Sequence, residues 1–130
     1  MVNHYANRHQ HAVRGQIAQA VGIRAEAVAE AALISNGARI LLRRARTACG
    51  EVDLVAQHRS QLCFIEVKHR LTWAEAVHSL TKRQQERIIR AAEIILADNP
   101  AWIYDSISFD VIAVNKYGIA RRIKNAFYVS

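Results

Sequence analysis

Two short runs hold the residues of this chain that could do chemistry. Glu51 and Asp53 lie in Gly50-Glu51-Val52-Asp53-Leu54, and Glu66 and Lys68 in Phe64-Ile65-Glu66-Val67-Lys68. In a β-strand, residues two apart face the same side, so each run presents its pair together. With residues 58–61 as a hairpin loop, Gln57 pairs with Leu62. That register sets Asp53 opposite Glu66 and Glu51 opposite Lys68. Directly opposed Cβ atoms stand ~4.5–5.5 Å apart, and like charges there destabilise a sheet. A hard cation such as Mg2+ (or Mn2+), taking oxygen ligands and keeping several waters, would offset the Asp53–Glu66 repulsion. Lys68, about 7 Å along the strand from Glu66, would reach a metal-bound water or a phosphate. Such a group can generate hydroxide and stabilise charge building on phosphorus. The competing reading is a plain salt-bridge ladder, with Glu51 paired to Lys68.

The elements that must position these residues can also be read. On the other face of the hairpin, Val52, Leu54 and Ala56 join Cys63, Ile65 and Val67, which predicts a helix packed there. Val55, Leu62 and Phe64 make the acidic face apolar again near the loop. The charged cluster is thus expected at one end of a sheet buried on both faces. Ala25, Val28, Ala29, Ala32 and Leu33 recur at helical spacing before an Asn36-Gly37 stop. Strands are expected over Ala38–Arg46, Glu51–Gln57 and Gln61–Arg70, with a turn at Thr47–Gly50. Thr72–Glu75 and Thr81–Gln84 fit helix-opening patterns, the second starting a long helix that stops at Asn99-Pro100. A strand over Ser106–Val114 and a last one from Ile119 to about Val129 complete the chain. The order α-β-β-β-α-β plus a C-terminal strand predicts an α/β or α+β sandwich, a mixed sheet flanked by helices.

The 130 residues suit one domain, 22–130, preceded by a polar tail and short helix over 1–21 that holds His4, His9 and His11. The 52% hydrophobic and 22% charged residues exclude a disordered or fibrous chain. The formal charge is +7, and 14 of the 18 cations are Arg. The planar Arg fork matches phosphate oxygens, which points to nucleic acid ahead of an anionic membrane. Lys82, Arg83, Arg87 and Arg90 form a basic stripe on the long helix, read either as phosphate contacts or as a solvated face. Trp73, Trp102 and Tyr104 could stack on bases or belong to the core. Asp110 reads as structural, paired with an Arg. Cys49 and Cys63 form no CxxC pair, and no apolar run approaches the ~18 residues of a membrane span. The first residues lack the apolar core of a secretory signal, so a cytoplasmic protein is expected.

These motifs resemble a known family. Gly22-x-x-Ala25-Glu26, Gly50-Glu51-Val52-Asp53-Leu54 and Phe64-Ile65-Glu66-Val67-Lys68-x-Arg70 are similar to those of the YraN-like proteins. Lys82, Phe109-Asp110-Val111 and Asn125-Ala126-Phe127 continue the likeness, which spans roughly residues 22–127 in order. The family is an uncharacterised bacterial one, related to archaeal Holliday-junction resolvases. The resemblance implies a restriction-endonuclease-like core and a PD-(D/E)xK nuclease site. In that site Asp53 and Glu66 would bind Mg2+, Lys68 would position the attacking water, and Glu26 would complete the acidic cluster. Glu51 and Gln84 would support it. The substrate would be DNA rather than RNA, branched or structured, and the resolvase analogy suggests a homodimer. Val52 stands where the motif's name has Pro, Ser108 where an Arg usually precedes Phe-Asp-Val, and Arg122 where a His is expected. Two alternatives stay open: a nucleic-acid-binding module with little or no turnover, and a protein-interaction module whose acidic cluster is a ladder.

Overall fold

The computed structural model describes residues 24–128. The tail and short helix expected over 1–21, with its three histidines, lie outside them, as does the end of the last expected strand. Helix α1 (24–35) buries its apolar stripe of Ala25, Ala29 and Leu33. It ends at Gly37, whose φ of +91° suits a residue without a Cβ.

Strands β1 (Arg39–Thr47), β2 (Gly50–His58) and β3 (Gln61–His69) follow as an antiparallel meander. A crossover through α2 (Trp73–His78) and α3 (Lys82–Asp98) sets β4 (Ser106–Val114) parallel to β3. Strand β5 (Ala120–Phe127) returns antiparallel to β4. The result is a five-stranded mixed sheet in chain order, flanked by helices. Both crossover helices open as the spacing predicts. Thr72 accepts the Glu75 N–H, and Thr81 and Gln84 cap each other reciprocally.

Each face of the sheet has its own core. Val55, Leu62, Phe64, Phe109 and Val111 pack with Ala76 of α2 and with Ile88, Ala91 and Ile95 of α3. Leu54, Ala56, Cys63, Ile65 and Ile112 pack under α1. Burying a large apolar side chain contributes roughly 1.5–3 kcal/mol, so these two layers hold the sheet between its helices. Asp110 is the charged exception in β4, fully buried under α1's face. As the sequence suggests, it pairs with an arginine: Arg122 donates to Oδ2 at 2.7 and 3.1 Å. Ser108 Oγ donates to Oδ2 at 3.2 Å, and the Asn125 N–H to Oδ1 at 3.0 Å.

The hairpin departs from expectation in two details. The β2–β3 ladder keeps the expected register but runs on to His58↔Gln61, leaving a two-residue turn with Arg59 at φ +56°. Val52, expected beside Leu54 under α1, instead packs in the layer under α3. Strict two-residue alternation therefore fails in β2 between Val52 and Leu54, at Asp53.

Candidate active site at the splayed end of the hairpin

Regular pairing is interrupted on both sides of Asp53. The partners recorded between β1 and β2 are Arg43↔Leu54 and Ala45↔Val52, and the β2–β3 ladder stops at Leu54↔Ile65. Beyond that point a side chain replaces the main chain: Asp53 Oδ2 accepts the Val67 N–H at 2.8 Å. Arg44, across from Asp53 in β1, has φ +48°, a left-handed conformation that costs a non-glycine residue about 1–2 kcal/mol. Such conformations cluster at functional sites, where the surroundings hold them in place.

Glu66 and Lys68 project from β3 at the same end, with only 18% and 16% of their side chains exposed. Lys68 Nζ lies 4.0 Å from Glu66 Oε1. Glu66 Oε2 is buried with no hydrogen-bond partner, which is uncommon for a native polar atom. Glu66 lines a cleft of about 170 Å³ with Glu51, Gln84 and Arg87. Gly50 lines the same cleft beneath α3, and its φ of +152° would strain any other residue.

The electrostatics follow from this packing. Burial raises the Asp53 carboxyl above its ordinary range, against the Val67 N–H, which favours the charged form. Burial and the Asp53 charge push Glu66 up to about 8, with Lys68 pulling the other way. Two carboxyls thus resist ionising together, and one buried oxygen lacks any donor. That donor set fits a hard divalent cation, Mg2+ or Mn2+. Among the described residues no three His, Cys, Asp or Glu side chains converge as ready-made ligands. Asp53 and Glu66 would therefore be the protein's share, with water and phosphate oxygens completing the shell as is usual for Mg2+.

The remaining candidates divide clearly. Glu26 reaches the same end from α1, close enough for its charge to act on Asp53, but its Oε2 accepts from Arg44 Nε at 2.9 Å. Glu51 does not hold Lys68: its ion pair is with Arg46 at 3.3 Å, while Lys68 turns to Glu66. The cause is the early end of the β2–β3 ladder, which leaves Glu51 and Lys68 unpaired across it. Gln84 lines the cleft while its Oε1 accepts the Thr81 N–H at 3.1 Å. Lys82, Arg83, Arg87 and Arg90 are all exposed on α3, and none forms an ion pair among the described residues. Of these, Arg87 lines the cleft. Arg44 is the residue the sequence reading missed. Its signal was present, because extending the ladder from the Thr47–Gly50 turn sets it opposite Asp53.

A pH-dependent stability follows from the raised Glu66 pKa. Between its ordinary value of 4.5 and about 8, the folded protein holds a proton that the unfolded chain has lost. Stability therefore falls as pH rises through that window. Glu66→Gln should raise the Tm at pH 8 by about 4 °C or more and leave it nearly unchanged at pH 5. Equal shifts at the two pH values in a melting assay would count against a buried, strained Glu66.

The fold and site together define an α/β protein with a partly buried carboxylate pair and a lysine at the open end of a central hairpin. The chain belongs to the uncharacterised protein family UPF0102, the YraN-like family, which residues 25–114 match. It is 44% identical over 115 residues to a UPF0102 protein of Granulibacter bethesdensis, covering 88% of this chain and 73% of that one. A UPF0102 protein of Azorhizobium caulinodans is 46% identical over 114 residues, with 88% and 87% covered. One from Rhodopseudomonas palustris is 40% identical over 122 residues, with 93% and 94% covered. No helix among the described residues is long and apolar enough to cross a membrane.

Proposed function

We propose that the protein is a divalent-cation-dependent endonuclease that hydrolyses phosphodiester bonds of DNA, with branched or structured DNA as its substrate. One observation carries this reading: the partly buried Asp53–Glu66 pair, with its buried and unpartnered Glu66 oxygen, set beside Lys68. The mixed sheet with this group on its central hairpin agrees with the restriction-endonuclease-like core that the resemblance implies. The family's relation to resolvases supports branched DNA and a homodimer matched to its two-fold symmetry. A DNA substrate would place the activity in the cytoplasm.

Mg2+ or Mn2+ on Asp53 and Glu66 would supply Lewis acidity toward a water and counter-charge for the phosphoryl oxygens. The chain's own residues do the rest. The Val67 N–H fixes Asp53 Oδ2, so this carboxylate cannot swing away from Glu66. Lys68 places an ammonium at the mouth of the pair, where it can orient the attacking water and stabilise negative charge on phosphorus. Arg44 ties Glu26 to the edge of the group, which gives Glu26 a positioning role. Glu51 and Gln84 line the cleft wall. Arg87, with Lys82, Arg83 and Arg90 on the same helix, offers unpaired cations to the DNA backbone.

The test is incubation with end-labelled four-way junctions, flaps and linear duplexes in Mg2+ or Mn2+. Nicks confined to branched substrates and abolished by EDTA are expected. Cleavage persisting in EDTA would contradict the reading. Salt-sensitive binding with no product in either metal would instead favour a DNA-binding module of the same fold.

A further inference from the structure

A second concave surface lies beside the candidate site on the same face of the sheet. Lys68 of β3 is registered with Ala113 of β4, and Ala113 with Arg121 of β5, so the three form one row across the sheet. Ala113 and Arg121 line a cavity of about 300 Å³, with Arg70, Trp73 and Asn115 around it. Two inter-strand spacings separate Lys68 from Arg121, about 10 Å. That distance corresponds to roughly three stacked base steps at ~3.4 Å each.

The chemistry of this cavity is specific. Trp73 is half exposed, and the Arg121 guanidinium lies 4.9 Å from its ring centroid. Neither Arg70 nor Arg121 forms an ion pair among the described residues, and no carboxylate lines the cavity. Leu71 and Ile119, both exposed, extend the apolar rim. Cations without acidic partners suit a phosphate, and the part of the half-exposed indole that Arg121 leaves uncovered suits a nucleobase. A paired base inside a continuous duplex cannot offer its face to Trp73, whereas an unpaired one can.

We infer that this cavity is a subsite for an unpaired nucleotide of the DNA strand about three steps from the scissile phosphate. Its base stacks on Trp73, and its phosphate lies between Arg70 and Arg121. The inference rests on the nuclease reading and narrows it: the preferred substrate carries single-stranded DNA near the cut, as flaps and opened junctions do.

The experiment uses the full chain with a flap bearing a five-nucleotide oligo-dT arm and a matched linear duplex, in Ca2+ to separate binding from cleavage. Trp73→Ala should weaken flap binding about tenfold or more and duplex binding less than twofold. Trp73→Phe should recover most of the loss, because the stacking face remains. In a Trp102→Phe background Trp73 is the sole tryptophan, and oligo-dT alone should quench its fluorescence. Unchanged flap affinity in Trp73→Ala, equal losses on flap and duplex, or unmoved Trp73 fluorescence would overturn the subsite. If the wild type cleaves branched DNA but Trp73→Ala behaves identically, the subsite falls and the nuclease reading stands. If the wild type binds no DNA, both fall.

Discussion

On the proposed function, replacing Asp53, Glu66 or Lys68 by Ala should lower branched-DNA cleavage by about 10³-fold or more, while the protein stays folded. The loss is large because each residue supplies something the others cannot. Asp53 is the member of the pair anchored by a backbone donor, the Val67 N–H. Glu66 contributes the buried oxygen that has no protein partner. Lys68 is the cation that offsets the raised Glu66 pKa, so without it Glu66 holds its proton more firmly. The double variant Asp53→Ala/Glu66→Ala should be scarcely worse than either single one, since groups acting as a unit are non-additive. Folding survives because removing either carboxylate relieves a repulsion. Asp53→Asn, which keeps an oxygen for Val67, separates loss of charge from loss of that bond. Single-turnover cleavage alongside circular dichroism measures both. Wild-type rates in all three Ala variants would remove this site from the chemistry.

Asp110→Ala has the largest effect on stability, about 3–5 kcal/mol. Asp110 is fully buried, and its carboxylate satisfies Arg122, Ser108 and the Asn125 N–H at once. Asn125 has φ +52°, and the β4–β5 register shifts between Phe109 and Val111, so the carboxylate fastens an irregular stretch of the edge strand. Ser108 and Arg122, two of the three positions where the sequence departs from the motifs it resembles, both meet on this one side chain. Truncating Asp110 leaves the Arg122 charge beside the buried Cys63 sulfur, 3.1 Å from Nη2. Asp110→Asn should cost less, because an oxygen remains for the Asn125 N–H. Urea melts of the two variants check the ranking, and a neutral Asp110→Ala would show the pair to be dispensable.

The hairpin was legible because two local rules agree. Alternation divided its residues between faces, and the short polar turn set a register that the observed Gln57↔Leu62 and Leu54↔Ile65 pairs share. The helix openings were legible for a similar reason: Thr81 and Gln84 carry their capping partners within four residues. What escaped was non-local. Ideal alternation does not foresee that Asp53 takes the Val67 N–H and ends the ladder, so Glu51 was matched with Lys68 when it pairs with Arg46. Glu26 could be placed near the acids only through the family resemblance, because nothing in its own helix says which strand end α1 crosses. Arg44 went unread because its left-handed backbone is a property of the assembled site, although its place opposite Asp53 was available from the turn.

The most direct measurement is calorimetric titration of Mg2+ and of Mn2+ into the wild type and into Asp53→Asn at pH 8, where Glu66 gives up its proton more readily than at neutral pH. Saturable binding to the wild type that vanishes in Asp53→Asn is predicted. Heats that do not differ between the two proteins, or no binding to the wild type, would contradict a divalent-cation site on Asp53 and Glu66.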